Sequence, residues 1–204
     1  MRPTPTSETL RDTPGYLGMN TSEHDRTIRV NRAPVLTLWA TVVAEQLGFD
    51  RDAALTLGRA VAGSSAQMKG RALGIYEPSE EPPSKVAEER RGRLKPDETF
   101  GVRLLGRTVP AIRTPDGIRA MDKDFRPASA ASVGRYLASK FGDHLDEVRA
   151  AMEQLAASLS PEELNRRGFA LYEAFRPAIP AGARGWGATG KLDLDRIIGL
   201  RDEP

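Results

Sequence analysis

Apolar residues recur at intervals of three and four along much of this 204-residue chain, which is the spacing of the buried face of an α-helix. The pattern is continuous from Val35 to Leu47. Asn31 can cap this helix, and Pro34 falls in its first turn, where no backbone donor is needed. Gly48 can take the left-handed conformation that ends a helix. We therefore predict a first helix over residues 32–47.

Two more helices are predicted before residue 76. Asp50 is a capping residue for the second helix. A third helix can begin at Ser64, because Gln67 follows three positions later and completes a capping box. Together the three helices form a predicted helical unit over residues 26–76. The residues before it, 1–25, are rich in Pro, Gly, Thr and Ser, a composition typical of a flexible arm.

Helical signals return in the C-terminal part of the chain. Apolar residues at helical spacing mark residues 129–141 and 143–159. Residues 160–163, Ser-Pro-Glu-Glu, combine a cap, a proline at the first helical position and a glutamate at the third. This signature predicts another helix, which Pro177 ends. Asp193 is expected to cap a last short helix.

Between the two helical parts the composition changes twice. Residues 77–98 combine prolines with many charged side chains, which predicts a charged linker or loop with a helical turn around Val86. Residues 100–121 alternate apolar and polar positions around the turn sequence Pro115-Asp116-Gly117, which predicts an antiparallel β ribbon of two or three strands. A very short strand is also expected over residues 27–30.

The order of these elements predicts an α+β protein that is predominantly α-helical. Its parts are an N-terminal three-helix unit, a small antiparallel β ribbon and a C-terminal helical group. The ribbon and the C-terminal helices are expected to form a unit over residues 99–204, which can share one core with residues 26–76.

Composition limits the classes of function. The apolar share of 39% and the charged share of 28% are those of a folded globular chain. A mean hydropathy of -0.44, with no long apolar run, argues against a membrane span or a signal segment. The lack of cysteine excludes disulfides and thiolate chemistry and fits a cytoplasmic protein. Because the net charge is only +2, binding to a polyanion would depend on a local basic patch.

Residues that commonly carry catalysis or bind metal are scarce. The two histidines, His24 and His144, lie outside any HExxH-like spacing, and no G-x-S-x-G sequence is present. The carboxylate pair Asp193 and Asp195 is typical of a helix start, and it is the one carboxylate pair left open for acid-base chemistry. We therefore predict no catalytic residue, no metal site and no cofactor.

A glycine-rich loop near the C-terminus offers an alternative function. Its glycines could expose backbone N–H groups to an anion, its basic residues could pair with a phosphate, and its tryptophan could stack on a base. The residues concerned are Arg184, Gly185, Trp186, Gly187 and Lys191. Together with the pair Asp193 and Asp195, this loop allows a small-ligand or phosphate-binding enzyme. In the simpler interpretation the tryptophan fills the core and the glycines serve turns.

The spacing Ala44-x-x-x-Gly48, followed by Ala54 and Leu57, resembles that of helix-turn-helix DNA-binding proteins. In that family a small residue lets two helices approach, a glycine makes the turn, and apolar residues fix the crossing. The resemblance covers residues 40–59 and implies a DNA-binding function. The predicted third helix supplies side chains of the types that bond phosphates and base edges, namely Ser64, Ser65, Gln67, Lys69 and Arg71.

Arginines alternate with apolar residues along the predicted ribbon, at Arg103, Arg107, Arg113 and Arg119. Three helices followed by such a ribbon resemble the winged-helix arrangement, in which the ribbon lies against the DNA backbone beside the recognition helix. The sequence therefore favours a protein that binds duplex DNA, with these arginines on phosphates. In the alternative interpretation all these charges are solvated and bind nothing.

A third possibility is an interaction module. The apolar stripe of the predicted helix 143–159 has a heptad-like spacing, which could pair with a second copy of the chain to form a homo-oligomer.

Overall fold

The computed structural model describes residues 26–72, 74, 84–95, 98–182 and 188–202. The predicted arm, residues 1–25, lies outside this part. In chain order the elements are β1 Thr27–Val30, α1 Arg32–Gln46, α2 Arg51–Ala72, α3 Lys85–Arg93, β2 Thr99–Leu104, β3 Arg107–Thr114, β4 Gly117–Ala120, α4 Ala130–Phe141, α5 Leu145–Ala157, α6 Pro161–Phe175, β5 Gly190–Asp193 and α7 Leu194–Gly199. A 3₁₀ turn, Gly142–His144, precedes α5. The predicted α+β, predominantly helical class is confirmed.

Helix α1 is the centre of the fold, because every residue from Pro34 to Ala44 is buried. It packs against α2 at Gly58, where the backbones come unusually close. A Cβ at Gly58 would lie 2.6 Å from the carbonyl oxygen of Thr37 and 2.8 Å from the backbone nitrogen of Thr41. The absence of a side chain at this position therefore sets the distance between the two helices.

The prediction of a separate helix beginning at Ser64 is wrong, since α2 runs without a break from Arg51 to Ala72. A capping serine must leave the helical conformation. Instead the Ser64 hydroxyl donates to the carbonyl of Val61, 2.9 Å away, within the helix. The residues on either side of Ser64 keep their helical backbone hydrogen bonds. A helix that began at Ser64 would gain one capping hydrogen bond but would lose several of these backbone bonds. After Ala62 only Gly70 is buried, so the last turns of α2 extend beyond the core.

The ribbon is a three-stranded antiparallel sheet in the order β2-β3-β4. Val102 pairs with Val109, and Ala111 pairs with Ala120. The edge strand β4 is fixed to α2, because the backbone N–H of Ala120 donates to the buried Thr56 hydroxyl at 3.0 Å. The expected short strand β1 pairs with β5 in a second antiparallel sheet.

The charged segment 77–98 contains a nine-residue helix, α3, where only a single helical turn was expected. Ser84 starts it by accepting a hydrogen bond from the backbone N–H of Ala87, and the Ala87 side chain is 1% exposed. Arg90 donates to the carbonyl of Asp124 at 3.0 Å. The burial of Ala87 and the hydrogen bond of Arg90 therefore hold α3 in place, although this helix lacks an apolar stripe.

The C-terminal helices follow their predicted signals. Ser160 and Glu163 form the expected capping box at the start of α6, and the Asp193 carboxylate accepts from two backbone N–H groups at the start of α7. Buried residues from both halves of the chain, including Trp39 and Leu155, belong to one continuous core.

The heptad-like stripe of α5 is used inside this core. Val148, Met152 and Leu155 are all fully buried, and α5 packs against α1 and α7. These side chains are covered within one copy of the chain and are not available for pairing with another. Within the described ranges, none of the helices combines the length and apolar character that a membrane crossing requires.

Candidate nucleic-acid interface

The β2–β3 turn is held against α6 by a side chain that fits into a gap. Leu105 occupies the left-handed region, with φ of 50°, yet it is only 2% exposed. A Cβ at Gly168 of α6 would lie 2.4 Å from a Leu105 methyl carbon. The carbonyl of Gly168 also accepts a hydrogen bond from the Trp39 indole at 2.7 Å. Helix α1, the turn and helix α6 therefore meet at one glycine.

Arg107, which begins β3, connects this junction with the end of α2. Its Nη1 contacts the sulfur of Met68, and its guanidinium lies 5.4 Å from the ring centroid of Phe169 on α6. A cation over an aromatic face is held by the ring quadrupole. Met68 is 52% exposed, so this contact lies at the surface. Three elements that are distant in sequence thus converge around one guanidinium.

The basic residues nearest to this convergence along α2, β3 and α6 are Lys69, Arg71, Arg107 and Arg166, and we name this set the basic surface. Lys69 follows Met68 directly on α2 and Arg71 lies three positions beyond it, while Arg166 precedes Phe169 by one helical turn on α6. Residues 64–72 and 164–170 contain no acidic side chain. The local charge is therefore strongly positive, although the chain as a whole is nearly neutral.

The nearest acidic side chain along α6 belongs to Glu163, which is engaged elsewhere. Hydrogen bonds from the backbone and hydroxyl of Ser160 lower the pKa of Glu163, and the positive charges of Arg167 and Arg166 lower it further. This carboxylate caps the helix and also offsets part of the positive charge of Arg166.

The polar residues predicted to contact bases, Ser64, Ser65 and Gln67, are less favourably placed for DNA contacts than the cations of the basic surface. The Ser64 hydroxyl is bonded within α2. The Ser65 hydroxyl is buried and has no hydrogen-bond partner among the residues described. Gln67 is exposed beside Met68, so it is the member of this trio that projects to solvent.

The prediction that Arg119 contacts DNA phosphates conflicts with its surroundings. Its side chain is only 11% exposed and lies 3.1 Å from the Asp52 carboxylate and 3.8 Å from that of Asp50. It also donates to the backbone carbonyls of Asp116 and Ile118. Arg119 is a structural link between β4 and the start of α2, and its donors are already used by the fold.

The remaining ribbon arginines do not join the basic surface. Arg113 stacks 4.9 Å over the ring of Phe100, and it is six residues from Arg107, about 20 Å along a strand. Arg103 pairs in register with Thr108 and not with Arg107. It is exposed on the opposite face of the ribbon, since successive side chains of a strand alternate. Among the four ribbon arginines, the structure brings Arg107 to the end of α2.

Three residues at this junction were not predicted from the sequence, namely Arg166, Met68 and Phe169. The adjacent pair Arg166-Arg167 before Gly168 is a visible basic signal. The position of α6 beside the ribbon turn, however, depends on contacts between residues about sixty positions apart.

The alternative glycine-rich site falls mostly outside the part that the structure describes, which omits residues 183–187. Lys191 lies on β5 with an exposed side chain, and its backbone N–H donates to Ala178 at 3.1 Å. Within the described segments no group of three or more His, Cys, Asp or Glu side chains is placed to hold a metal ion.

Comparison with known proteins finds no matching family model, no matching curated protein and no matching solved structure.

Proposed function

We propose that this protein binds duplex DNA through the basic surface. The observation that carries the proposal is the position of Arg107, in contact with Met68 of α2 and over Phe169 of α6. It places the ribbon cation between the basic segments 64–72 of α2 and 164–170 of α6. Phosphate groups supply most of the affinity of proteins for DNA, and they bind lysine and arginine.

The geometry favours contacts with the phosphate backbone over extensive recognition of bases. The end of α2 extends beyond the core, which lets Lys69 and Arg71 approach a rod-shaped partner. Two of the hydroxyl groups expected to bond bases are turned into the helix or buried. Gln67 is the exposed amide beside these cations, and amides can bond adenine edges. We infer affinity that depends mainly on charge and only weakly on sequence.

Fluorescence anisotropy with a labelled 20-base-pair duplex tests the proposal. If the four cations of the basic surface each meet a phosphate, the logarithm of the association constant falls with that of the salt concentration with a slope of about -3.6. Affinity should then drop about 100-fold between 50 and 200 mM salt. Failure to bind at 50 mM salt, or binding that is independent of salt, would contradict the proposal.

A pair of charge-matched variants locates the site. Lys69→Gln with Arg166→Gln removes two exposed cations of the basic surface, and it should weaken binding at least tenfold and reduce the salt slope by about 1.8. Lys123→Gln with Lys140→Gln removes the same charge from exposed positions elsewhere. Equal losses from both variants would show that net charge, and not this surface, determines binding.

A further inference from the structure

A cleft of about 250 Å³ lies between the first turns of α2, α4 and α5. Its floor is apolar and includes Leu38 of α1, Leu55 of α2 and Leu137 of α4, all of which are buried in the core. The small residues Ala131 and Gly134 of α4 also line it, so α4 presents little side-chain volume at these two positions. Binding sites for small molecules typically combine such an apolar floor with a few polar groups.

Two of the charged residues that line this cleft already have partners. Asp52 pairs with Arg119 at 3.1 Å. Arg149 pairs with Glu153 at 2.7 Å and contacts Glu45. Neither of these groups needs a ligand to balance its charge.

The other two charged residues of the lining are different. Arg51, at the start of α2, and Asp146, in the first turn of α5, line the same cleft. Neither has an ion pair or a side-chain hydrogen bond with any residue in the described part of the chain. Beside its floor of leucines the cleft therefore presents one positive and one negative group, both exposed to solvent and neither in an ion pair with another described residue.

We propose that this cleft binds a small zwitterion with an apolar side chain, of the class of the free aliphatic amino acids. The carboxylate of the ligand pairs with Arg51, its ammonium group pairs with Asp146, and its side chain lies on the leucine floor. A simple anion would meet the uncompensated charge of Asp146, and a simple cation that of Arg51. A ligand carrying both charges satisfies both groups.

This site is separate from the basic surface. Arg51 and Lys69 lie eighteen positions apart on the same continuous helix, which is about 27 Å along its axis. The inference does not depend on DNA binding, and either can fail without the other.

Nitrogen–proton correlation NMR of the full chain, titrated with L-leucine to 20 mM, tests the proposal. We expect saturable shifts of the backbone amides of Arg51, Leu55, Gly134 and Asp146. Two analogues of leucine test the two charged contacts separately: 4-methylpentanoate lacks the ammonium group, and isoamylamine lacks the carboxylate. Each should bind at least tenfold more weakly than leucine.

Variants complete the test. Arg51→Gln and Asp146→Asn should each weaken leucine binding at least tenfold, while Lys140→Gln, at the far end of α4, should leave it unchanged. Circular dichroism of each variant verifies folding. The proposal is overturned if leucine causes no saturable shift at the cleft, if both cleft variants bind leucine as the parent does, or if either analogue binds equally well.

Discussion

Replacement of Gly58 by alanine tests the central packing of the fold most directly. An added methyl would lie 2.6 Å from the Thr37 carbonyl oxygen and 2.8 Å from the Thr41 backbone nitrogen. Both atoms belong to the backbone of the buried helix α1, so no side-chain rotation can relieve the overlap. Overpacking of this kind costs about 1–3 kcal/mol, and the upper end applies because two helices must separate. Alanine regains about 1 kcal/mol of helix propensity, which leaves a net loss of about 2 kcal/mol.

Gly63 provides a matched control on the same helix. A Cβ there would have no neighbour within 4 Å, so Gly63→Ala should show only the gain in propensity, about 1 kcal/mol. The same chemical change, five residues apart, is therefore expected to give opposite signs and a difference of about 3 kcal/mol.

Urea unfolding followed by circular dichroism at 222 nm measures both variants. The parent and the variants should share the same slope, so that a change in midpoint reports a change in stability. If Gly58→Ala is as stable as the parent, or if both variants shift in the same direction, the close approach of α1 and α2 is not as described.

Three further outcomes are expected. Arg119→Gln should lower the free energy of unfolding by about 2 kcal/mol, because it breaks the bonds to Asp52 and to two carbonyls. It should leave DNA affinity unchanged, and a loss of affinity in a folded variant would show that this residue belongs to the interface. Gly168→Ala should displace the buried Leu105 side chain and destabilise the protein by about 1–2 kcal/mol. DNA binding should weaken as well, because Arg107 moves with the turn. If the variant has the stability and the DNA affinity of the parent, the turn is not fixed at this glycine. Burial raises the pKa of Tyr172 to about 12, so the stability that this group contributes is complete below its unfolded pKa near 10 and is lost as the pH rises towards 12. Chemical unfolding at pH 9 and 11 should show this loss in the parent but less of it in Tyr172→Phe.

The sequence predicted elements whose signals are local. The capping box at Ser160 and the cap at Asp193 involve residues within three positions of each other, and both form as expected. The same kind of local pattern at Ser64 was misleading, because a serine with a glutamine three positions later also occurs inside a continuous helix. A local signal indicates what a helix end would gain, but not whether the backbone leaves the helix there.

Contacts across the chain could not be predicted in the same way. Arg119 alternates with apolar residues like any solvated strand residue, and only its partner Asp52, 67 positions earlier, makes it structural. Leu105 at a left-handed position does not match the Asn-Gly or Asp-Gly pattern of tight hairpins. Its burial against α6 offsets the backbone strain, and no sequence pattern within the ribbon shows that contact.

The left-handed conformation of Leu105 has a consequence for assembly. The hairpin would not hold this turn alone, because the strain of a branched residue at positive φ is compensated only when α6 covers the side chain. A peptide spanning β2 and β3 should therefore sample other turns, and Arg107 would take its place only after the helix sixty residues downstream has docked. The position of Arg107 is thus coupled to the docking of α6 and does not belong to the hairpin alone.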